Sequence, residues 1–234
     1  MYDNWIDNVF KENYQFVKVL KNTDKSQIMV YRHKTLGKYI VKRSVFGNSE
    51  VYSVLQGISH PNIVSIYDVI KGDYGATVLE EYINGQTVFD YLKDNLYTPN
   101  GVKQIVLELC NALEFLHSNR IIPKDIKPEN VMIDNNGTVK LIDFDAARLY
   151  KPFQSRDTKM LGTPGYAAPE QYGLNQTDER SDIYSLGMLM NVMLTGEPPE
   201  KKLYNGKLKK VIVKCTQTIP DNRYQSVTKL KKYL

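Results

Sequence analysis

The stretch NVMIDNNGTVKLID, which runs from Asn130 to Asp143, contains two short apolar segments separated by Asn136-Gly137. An Asn-Gly pair between such segments is typical of a β-hairpin with a type I′ turn. If the turn is centred on this pair, Asn130 lies directly opposite Asp143. An amide oxygen and a carboxylate are hard oxygen ligands of the kind that Mg²⁺ prefers. The stretch therefore predicts a divalent-cation site at the open end of one hairpin.

Two further charged residues precede this hairpin, in the segment DIKPEN. Asp125 provides a carboxylate that can accept a hydroxyl proton, and Lys127 provides an ammonium group that can bind a phosphate. Together with two metal ligands, these are the groups that phosphoryl transfer needs. Each residue alone would also fit the polar end of an ordinary surface hairpin, but the combination predicts phosphoryl transfer.

The apolar pattern changes along the chain. Five β-rich runs, with one short helix near residues 50–58, predict a five-stranded antiparallel sheet in the first third; they are YQFVKVL, SQIMVYRH, GKYIVKRS, IVSIYDVI and GATVLEEYI. From about residue 86 the period is helical, and residues 181–195 are apolar nearly all round, which predicts a buried central helix between an N-cap at Ser181 and a stop at Gly196. We expect an α+β fold of two lobes, at about residues 1–82 and 83–234.

Composition narrows the class of protein. Apolar residues make up 42% of the 234 residues and charged residues 24%, as in ordinary globular proteins. No apolar run reaches the roughly 18 to 20 residues that span a bilayer, so no direct membrane insertion of this chain is expected. Cys110 and Cys215 are too few for a disulfide framework; as buried thiols they suit a cytoplasmic protein or the cytosolic part of a longer one. The net charge of +5 is concentrated after residue 200, where a solvated helical face is favoured over an anionic partner. The chain has no basic repeats interleaved with aromatic residues, so no nucleic-acid partner is expected.

Several motifs in order resemble those of the eukaryotic-type (Hanks-type) Ser/Thr protein kinases, and a bacterial member of that family is indicated. They are YIVK ending at Lys42, HPNIV at 60–64, DIKPEN at 125–130, Asp143-Phe144, GTPGYAAPE at 162–170, SDIYSLG at 181–187 and DNRY with Arg223. The resemblance implies a bilobal kinase fold that uses ATP and Mg²⁺ (or Mn²⁺) to phosphorylate hydroxyl groups of a protein substrate. It leaves the oligomeric state unknown.

The resemblance also implies roles for individual residues. Asp125 would position the substrate hydroxyl and accept its proton, Lys127 would steady the γ-phosphate, and Asn130 and Asp143 would hold the metal. Lys42 would hold the α- and β-phosphates of ATP, Glu81 and Ile83 would offer hinge backbone groups to its adenine, and Ile28 would also bind ATP. In the activation segment, which runs from Asp143 to Glu170, Ser155 and Thr158 are candidate phosphorylation sites that could equally be unmodified, and Thr163 would brace Asp125 and Lys127. Asp182 would brace the catalytic loop DIKPEN, and Arg223 would pair with Glu170.

The chain departs from the family pattern at several positions. The glycine-rich loop has no glycine, since Lys21, Thr23 and Ser26 stand at its glycine positions; Pro123-Lys124 replaces His-Arg, and Asp145 replaces the glycine after Asp-Phe. Asp tolerates left-handed backbone angles, so Asp145 is expected to permit the usual turn. We expect weaker nucleotide binding and a slow or atypically regulated kinase. The alternative is a pseudokinase that acts as a signalling scaffold, with or without bound nucleotide.

The partner of Lys42 is the last open question in the sequence. Val51 stands at the usual position of the helix glutamate, and Glu50 is one residue away from it. Glu80 stands where the family has an apolar residue, and an unpaired carboxylate there would be costly. Either Glu80 pairs with Lys42, wholly or in the inactive state, while Glu50 competes for it, or Glu80 points elsewhere and Glu50 pairs with Lys42 after a local shift.

Overall fold

The computed structural model describes residue 8 and residues 10–23, 26–46, 49–72, 75–150, 162–173 and 177–234. The chain divides into two compact units, Met1–His60 with Val64–Asn84, and Pro61–Ile63 with Gly85–Leu234. The candidate phosphorylation sites Ser155 and Thr158 lie outside the described residues. Among the helices of the described residues, none combines the length and the apolarity that a membrane crossing requires.

The first unit is built on a five-stranded antiparallel sheet, as predicted, and its strands lie in the order β1-β2-β3-β5-β4. The strands are β1 Tyr14–Thr23, β2 Ser26–His33, β3 Tyr39–Val45, β4 Ile66–Gly72 and β5 Gly75–Glu81, and helix α1 spans Glu50–Gln56. Helical residues 10–13 precede β1. The predicted run IVSIYDVI begins at residue 63, whereas β4 begins at Ile66, so residues 63–65 belong to the connection before that strand.

The two faces of this sheet differ in burial. Ile28, Val30 and Val41 form a buried apolar cluster on one face, and Val30 and Val41 are direct partners on β2 and β3. Successive side chains on a strand point to opposite faces, so Met29 and Tyr31 lie on the other face. That second face is less buried, as the alternating exposure of β2 shows.

The second unit is mainly helical, which confirms the predicted change from strands to helices. Its elements are β6 Gly85–Thr87, α2 Val88–Leu92, α3 Pro99–Ser118, β7 Ile121–Ile122, β8 Val131–Asp134, β9 Val139–Leu141, β10 Arg148–Leu149, α4 Arg180–Thr195, α5 Lys209–Cys215 and α6 Val227–Lys231. Short 3₁₀ helices span Pro128–Asn130, Pro169–Tyr172 and Pro220–Asn222. Small sheets join β6, β8 and β9, and β7 with β10.

Helix α4 is the central buried element, as predicted. Gly187 lets it lie against the end of α5, because a Cβ there would come within 2.6 Å of the Cβ atom of Cys215. The helix ends at Gly196, which takes a left-handed conformation with φ 74°. Its N-cap is Glu179 and not Ser181, whose hydroxyl donates instead to the carbonyl of Asp178 at 2.8 Å.

The hairpin of β8 and β9 forms, but with a different register from the predicted one. Its direct partners include Val131 with Leu141 and Ile133 with Val139. Gly137 alone in the turn has a positive φ, 87°, so the type I′ turn is wrong. The carboxylate of Asp134 accepts hydrogen bonds from two loop N–H groups and so stabilises a longer loop. The register therefore shifts by one residue.

Candidate active site

The loop that carries Asp125 is anchored on helix α4. Lys124 is 1% exposed and has a left-handed backbone, with φ 67°. Its N–H donates to the buried carboxylate of Asp182 at 2.9 Å, and its carbonyl accepts from Gln171 Nε2 at 2.9 Å. His117 Nε2 also donates to Asp182, at 2.8 Å. Asp182 thus contacts the loop as the resemblance implied, at the one loop residue whose backbone is strained.

Asp125 lies at the centre of a closed set of polar contacts. The Thr163 hydroxyl donates to Oδ1 of Asp125 at 2.6 Å and accepts from Lys127 Nζ at 2.7 Å. Lys127 Nζ is also 2.9 Å from Oδ2 of Asp125. The Thr163 N–H donates to the same Oδ1 at 3.2 Å. These contacts hold the carboxylate in one orientation while its side chain stays 15% exposed, so it can still reach a bound hydroxyl group.

The side chain of Asn130 is oriented by Asp125. Its Nδ2 donates to the Asp125 carbonyl at 2.8 Å and to Oδ2 at 3.0 Å. Because the amide nitrogen is turned to Asp125, the oxygen Oδ1 is the atom presented on the other side. An oriented amide oxygen of this kind suits a hard divalent cation.

Asp143 lies at the same end of the hairpin but not opposite Asn130. The Ile142 N–H donates to the Asn130 carbonyl at 3.1 Å, so Ile142 is the residue across from Asn130. The predicted direct pairing of Asn130 with Asp143 is therefore wrong by one residue. The chain still brings an amide and a carboxylate to one end of the hairpin. As oxygen donors, they fit Mg²⁺ or Mn²⁺.

Asp145 does not take the left-handed backbone that its position suggested. Among the described residues other than glycine, positive φ angles occur at Arg120 and Lys124. The N–H of Asp145 instead donates to Oδ1 of Asp143 at 3.0 Å, which orients that carboxylate. Asp145, which replaces the family glycine, thus donates its backbone N–H to Asp143, the predicted metal ligand.

The end of the activation segment is fixed by Arg223. All five N–H groups of its buried guanidinium donate hydrogen bonds. Two go to the carboxylate oxygens of Glu170, at 2.6 and 2.8 Å. The other three go to the carbonyls of Gln217, Arg180 and Thr218, at 2.7, 2.9 and 3.0 Å. The pair that the resemblance implied is therefore present, within a larger set of contacts.

The hairpin between β1 and β2 continues to the positions of the missing glycines. Thr23 and Ser26 are direct cross-strand partners, and Lys21 pairs with Ile28. The hydroxyl of Thr23 accepts from the Ser26 N–H at 3.1 Å and donates to its carbonyl at 3.2 Å. This side chain thus engages a backbone N–H that a glycine-rich loop would present to phosphates.

The other predicted ATP-binding residues of the first unit lie on the sheet and at one helix end. Ile28 is buried in β2, and Ile83 is buried just after β5. Glu81 ends β5, and its carboxylate accepts from the Ser65 N–H at 3.1 Å. Glu50 begins α1 with an exposed side chain. Contact of these residues with a nucleotide stays a prediction.

Glu80 forms a buried ion pair with Arg43. Its carboxylate accepts from Nε of Arg43 at 3.1 and 3.3 Å, and Nη2 of Arg43 is 3.1 Å from its Oε1. Both side chains are buried. Lys42 precedes Arg43 on β3 and so points to the opposite face, where its Nζ lies 5.1 Å from the ring centroid of Phe10. Of the two alternatives for Lys42, this geometry favours the one in which Glu80 points elsewhere, and the pairing of Glu50 with Lys42 stays a prediction.

Three residues of these networks were not anticipated from the sequence. Arg43 follows Lys42 directly, so only the face of the strand distinguishes the two. His117 lies in an amphipathic helix, where its spacing carries no sign of a polar contact. Gln171 follows the GTPGYAAPE motif, and nothing in that motif indicates its hydrogen bond to the loop.

The family is established by comparison with known proteins. The family model described as the protein kinase domain matches residues 15–233. The chain therefore belongs to the protein kinase family.

Individual relatives narrow the class further. Serine/threonine-protein kinase PknB of Mycobacterium leprae is 32% identical over 204 residues, which cover 74% of this chain and 33% of the relative. The probable serine/threonine-protein kinase PknB of Lactococcus lactis is 29% identical over 208 residues, covering 83% and 33%. Serine/threonine-protein kinase CST20 of Candida albicans is 33% identical over 178 residues, covering 75% and 14%. The expected likeness to Hanks-type Ser/Thr kinases is confirmed, and this chain spans a third or less of these relatives.

Proposed function

We propose that this chain is an ATP-dependent Ser/Thr protein kinase that transfers the γ-phosphate to hydroxyl groups of a protein substrate. The observation that carries the proposal is the oriented carboxylate of Asp125, held by Thr163, Lys127 and Asn130 within hydrogen-bonding distance. A scaffold that only binds has no need for an acid, an amine and a hydroxyl in mutual contact.

Each of these side chains has a defined part in the transfer. Asp125 orients the attacking hydroxyl and receives its proton as the new oxygen–phosphorus bond forms and the bond to the ADP leaving group breaks. Lys127 neutralises charge on the transferred phosphoryl group, and Thr163 keeps Lys127 and Asp125 in register. Asn130 and Asp143 would hold Mg²⁺ or Mn²⁺, which, when bound, neutralises charge on the ATP phosphates.

The test is transfer of labelled γ-phosphate from ATP to a generic protein substrate with Mg²⁺ present. Asp125→Asn removes the proton acceptor and is expected to lower the rate by about 10² to 10⁴. Asp134→Asn is the matched control, because it makes the same chemical change at the turn end of the hairpin that follows the Asp125 loop. Equal labelling by wild type and Asp125→Asn would reveal a contaminating kinase and leave the pseudokinase alternative.

A further inference from the structure

Of the two adjacent cations of β3, Arg43 shares a face of the sheet with Ile28. Ile28, which the resemblance assigns to ATP binding, is the direct cross-strand partner of Arg43 in the β2–β3 ladder. Direct partners in an antiparallel ladder point to the same face of the sheet. Val41 is two residues from Arg43 and is the direct partner of Glu80. Ile28, Val41, Arg43 and Glu80 therefore lie together on one face.

Lys42 belongs to the opposite face. Its direct partners are Met29 on β2 and Leu79 on β5. The ring of Phe10 covers this face, since it lies 4.9 Å from the ring of Tyr31 and 5.1 Å from the Lys42 ammonium group. An ammonium group over an aromatic ring makes a cation–π contact. Lys42 thus has a packing role against the helical residues that precede β1.

The pair of Arg43 and Glu80 has the features of a positioned functional group. Arg43 is 2% exposed and Glu80 is 3% exposed, so both charges are withdrawn from water. A buried ion pair contributes little net stability compared with apolar residues of similar size. Glu80 engages Nε and Nη2, which fixes the plane of the guanidinium group. Glu80 also precedes Glu81, the first of the two predicted hinge residues.

We propose that Arg43, oriented by Glu80, is the cation that contacts the phosphates of the nucleotide, in the role that the resemblance gave to Lys42. This inference rests on the proposed kinase function and adds a residue to its nucleotide site. A guanidinium group is planar and binds two phosphate oxygens at once, whereas an ammonium group acts as a point charge. Glu80 then takes the part of a positioning residue.

Nucleotide titration with purified protein tests the proposal. Binding of ADP and of adenosine is measured by calorimetry with Mg²⁺ present, because only ADP has phosphates. Arg43→Met combined with Glu80→Met removes both charges at nearly constant volume. This double variant is expected to bind ADP at least about tenfold more weakly, as for loss of a charge-assisted hydrogen bond, and adenosine as tightly as wild type. Lys42→Met is expected to keep the wild-type preference for ADP.

A second substitution covers the case in which the double variant does not fold. Arg43→Lys keeps the charge beside Glu80 but loses the second phosphate contact, so it is expected to weaken ADP binding and leave adenosine binding unchanged. Loss of the ADP preference in Lys42→Met, with the preference retained in the Arg43 variants, would overturn the inference and leave the kinase proposal intact. A wild-type protein that binds neither ligand would overturn both.

Discussion

The substitution Arg223→Lys probes how the end of the activation segment is held. Lysine offers three donors in place of five, so at least two of the acceptors that Arg223 now serves lose their donor. Each such loss in a buried site costs about 1 to 3 kcal/mol, which gives about 2 to 6 kcal/mol. The Glu170 side chain is 19% exposed and can be partly solvated, which favours the lower half of that range. This is a large part of the roughly 5 to 15 kcal/mol that stabilises a typical domain.

Urea unfolding followed by circular dichroism at 222 nm measures this loss, because α2 to α6 all lie in the second unit. With a typical slope of about 1 to 3 kcal/mol per molar urea, the midpoint should fall by about 1 M or more. Arg180→Lys is the matched control. Arg180 pairs with Asp178 and Asp221, whose side chains are 34% and 82% exposed. Its loss should stay below about 1 kcal/mol. Equal midpoints for the two variants would refute this reasoning.

Three further outcomes are expected. Thr163→Val removes the hydroxyl that bridges Asp125 and Lys127, so the phosphotransfer rate should fall about tenfold, while Thr163→Ser should stay near the wild-type rate. Equal rates for Thr163→Val and the wild type would contradict the bridging role. Gly137→Ala should lower the free energy of unfolding, measured with urea, by about 1 to 2 kcal/mol because Gly137 has a φ of 87°. A steric clash would not explain this loss, since nothing lies within 4 Å of the added Cβ. Gly137→Asn should lower it less. Burial raises the pKa of Asp178, but hydrogen bonds and charge from Arg180 outweigh it and leave that pKa below 3.8. The stability that the Asp178 carboxylate contributes is complete above pH 3.8 and is lost as the pH falls through the lowered pKa. Below about pH 4, the urea midpoint of Asp178→Asn should therefore fall less steeply with pH than the midpoint of the wild type.

The features that the sequence predicted well have a local or periodic cause. The five-stranded sheet followed from β-rich runs, and the buried face of α3 followed from its helical spacing, because burial repeats with the period of the element. The contact of Arg223 with Glu170 followed from two family motifs. The three carbonyl partners of Arg223 could not follow, because backbone acceptors carry no residue identity and depend on how α4 and the 3₁₀ helix Pro220–Asn222 meet.

The contacts of the Asp125 loop show a second limit of the sequence. Pro123 and Lys124 indicate that the usual histidine and arginine are absent, but they do not indicate what holds the loop. The structure holds it through Asp182 and Gln171, which contact the backbone of Lys124 and not its side chain. A substitution can therefore change a side chain while the backbone contacts of the loop are retained. This explains how a departure from the motif is compatible with an oriented Asp125.

The corrected hairpin register and the proposed role of Arg43 have one physical origin, which is the period of two along a strand. The predicted hairpin placed Asn130 opposite Asp143, and a loop stabilised by Asp134 moved the register by one residue. On β3, the adjacent residues Lys42 and Arg43 lie on opposite faces, so a shift of one residue in the alignment decides which of them shares a face with Ile28. Motif spacing places a residue on a strand to within about one position. A shift of one position moves its side chain to the other face of the sheet. For a strand with adjacent basic residues, the cross-strand partners therefore decide the role of each cation, and the ladder partners of Arg43 are the reason to test it ahead of Lys42.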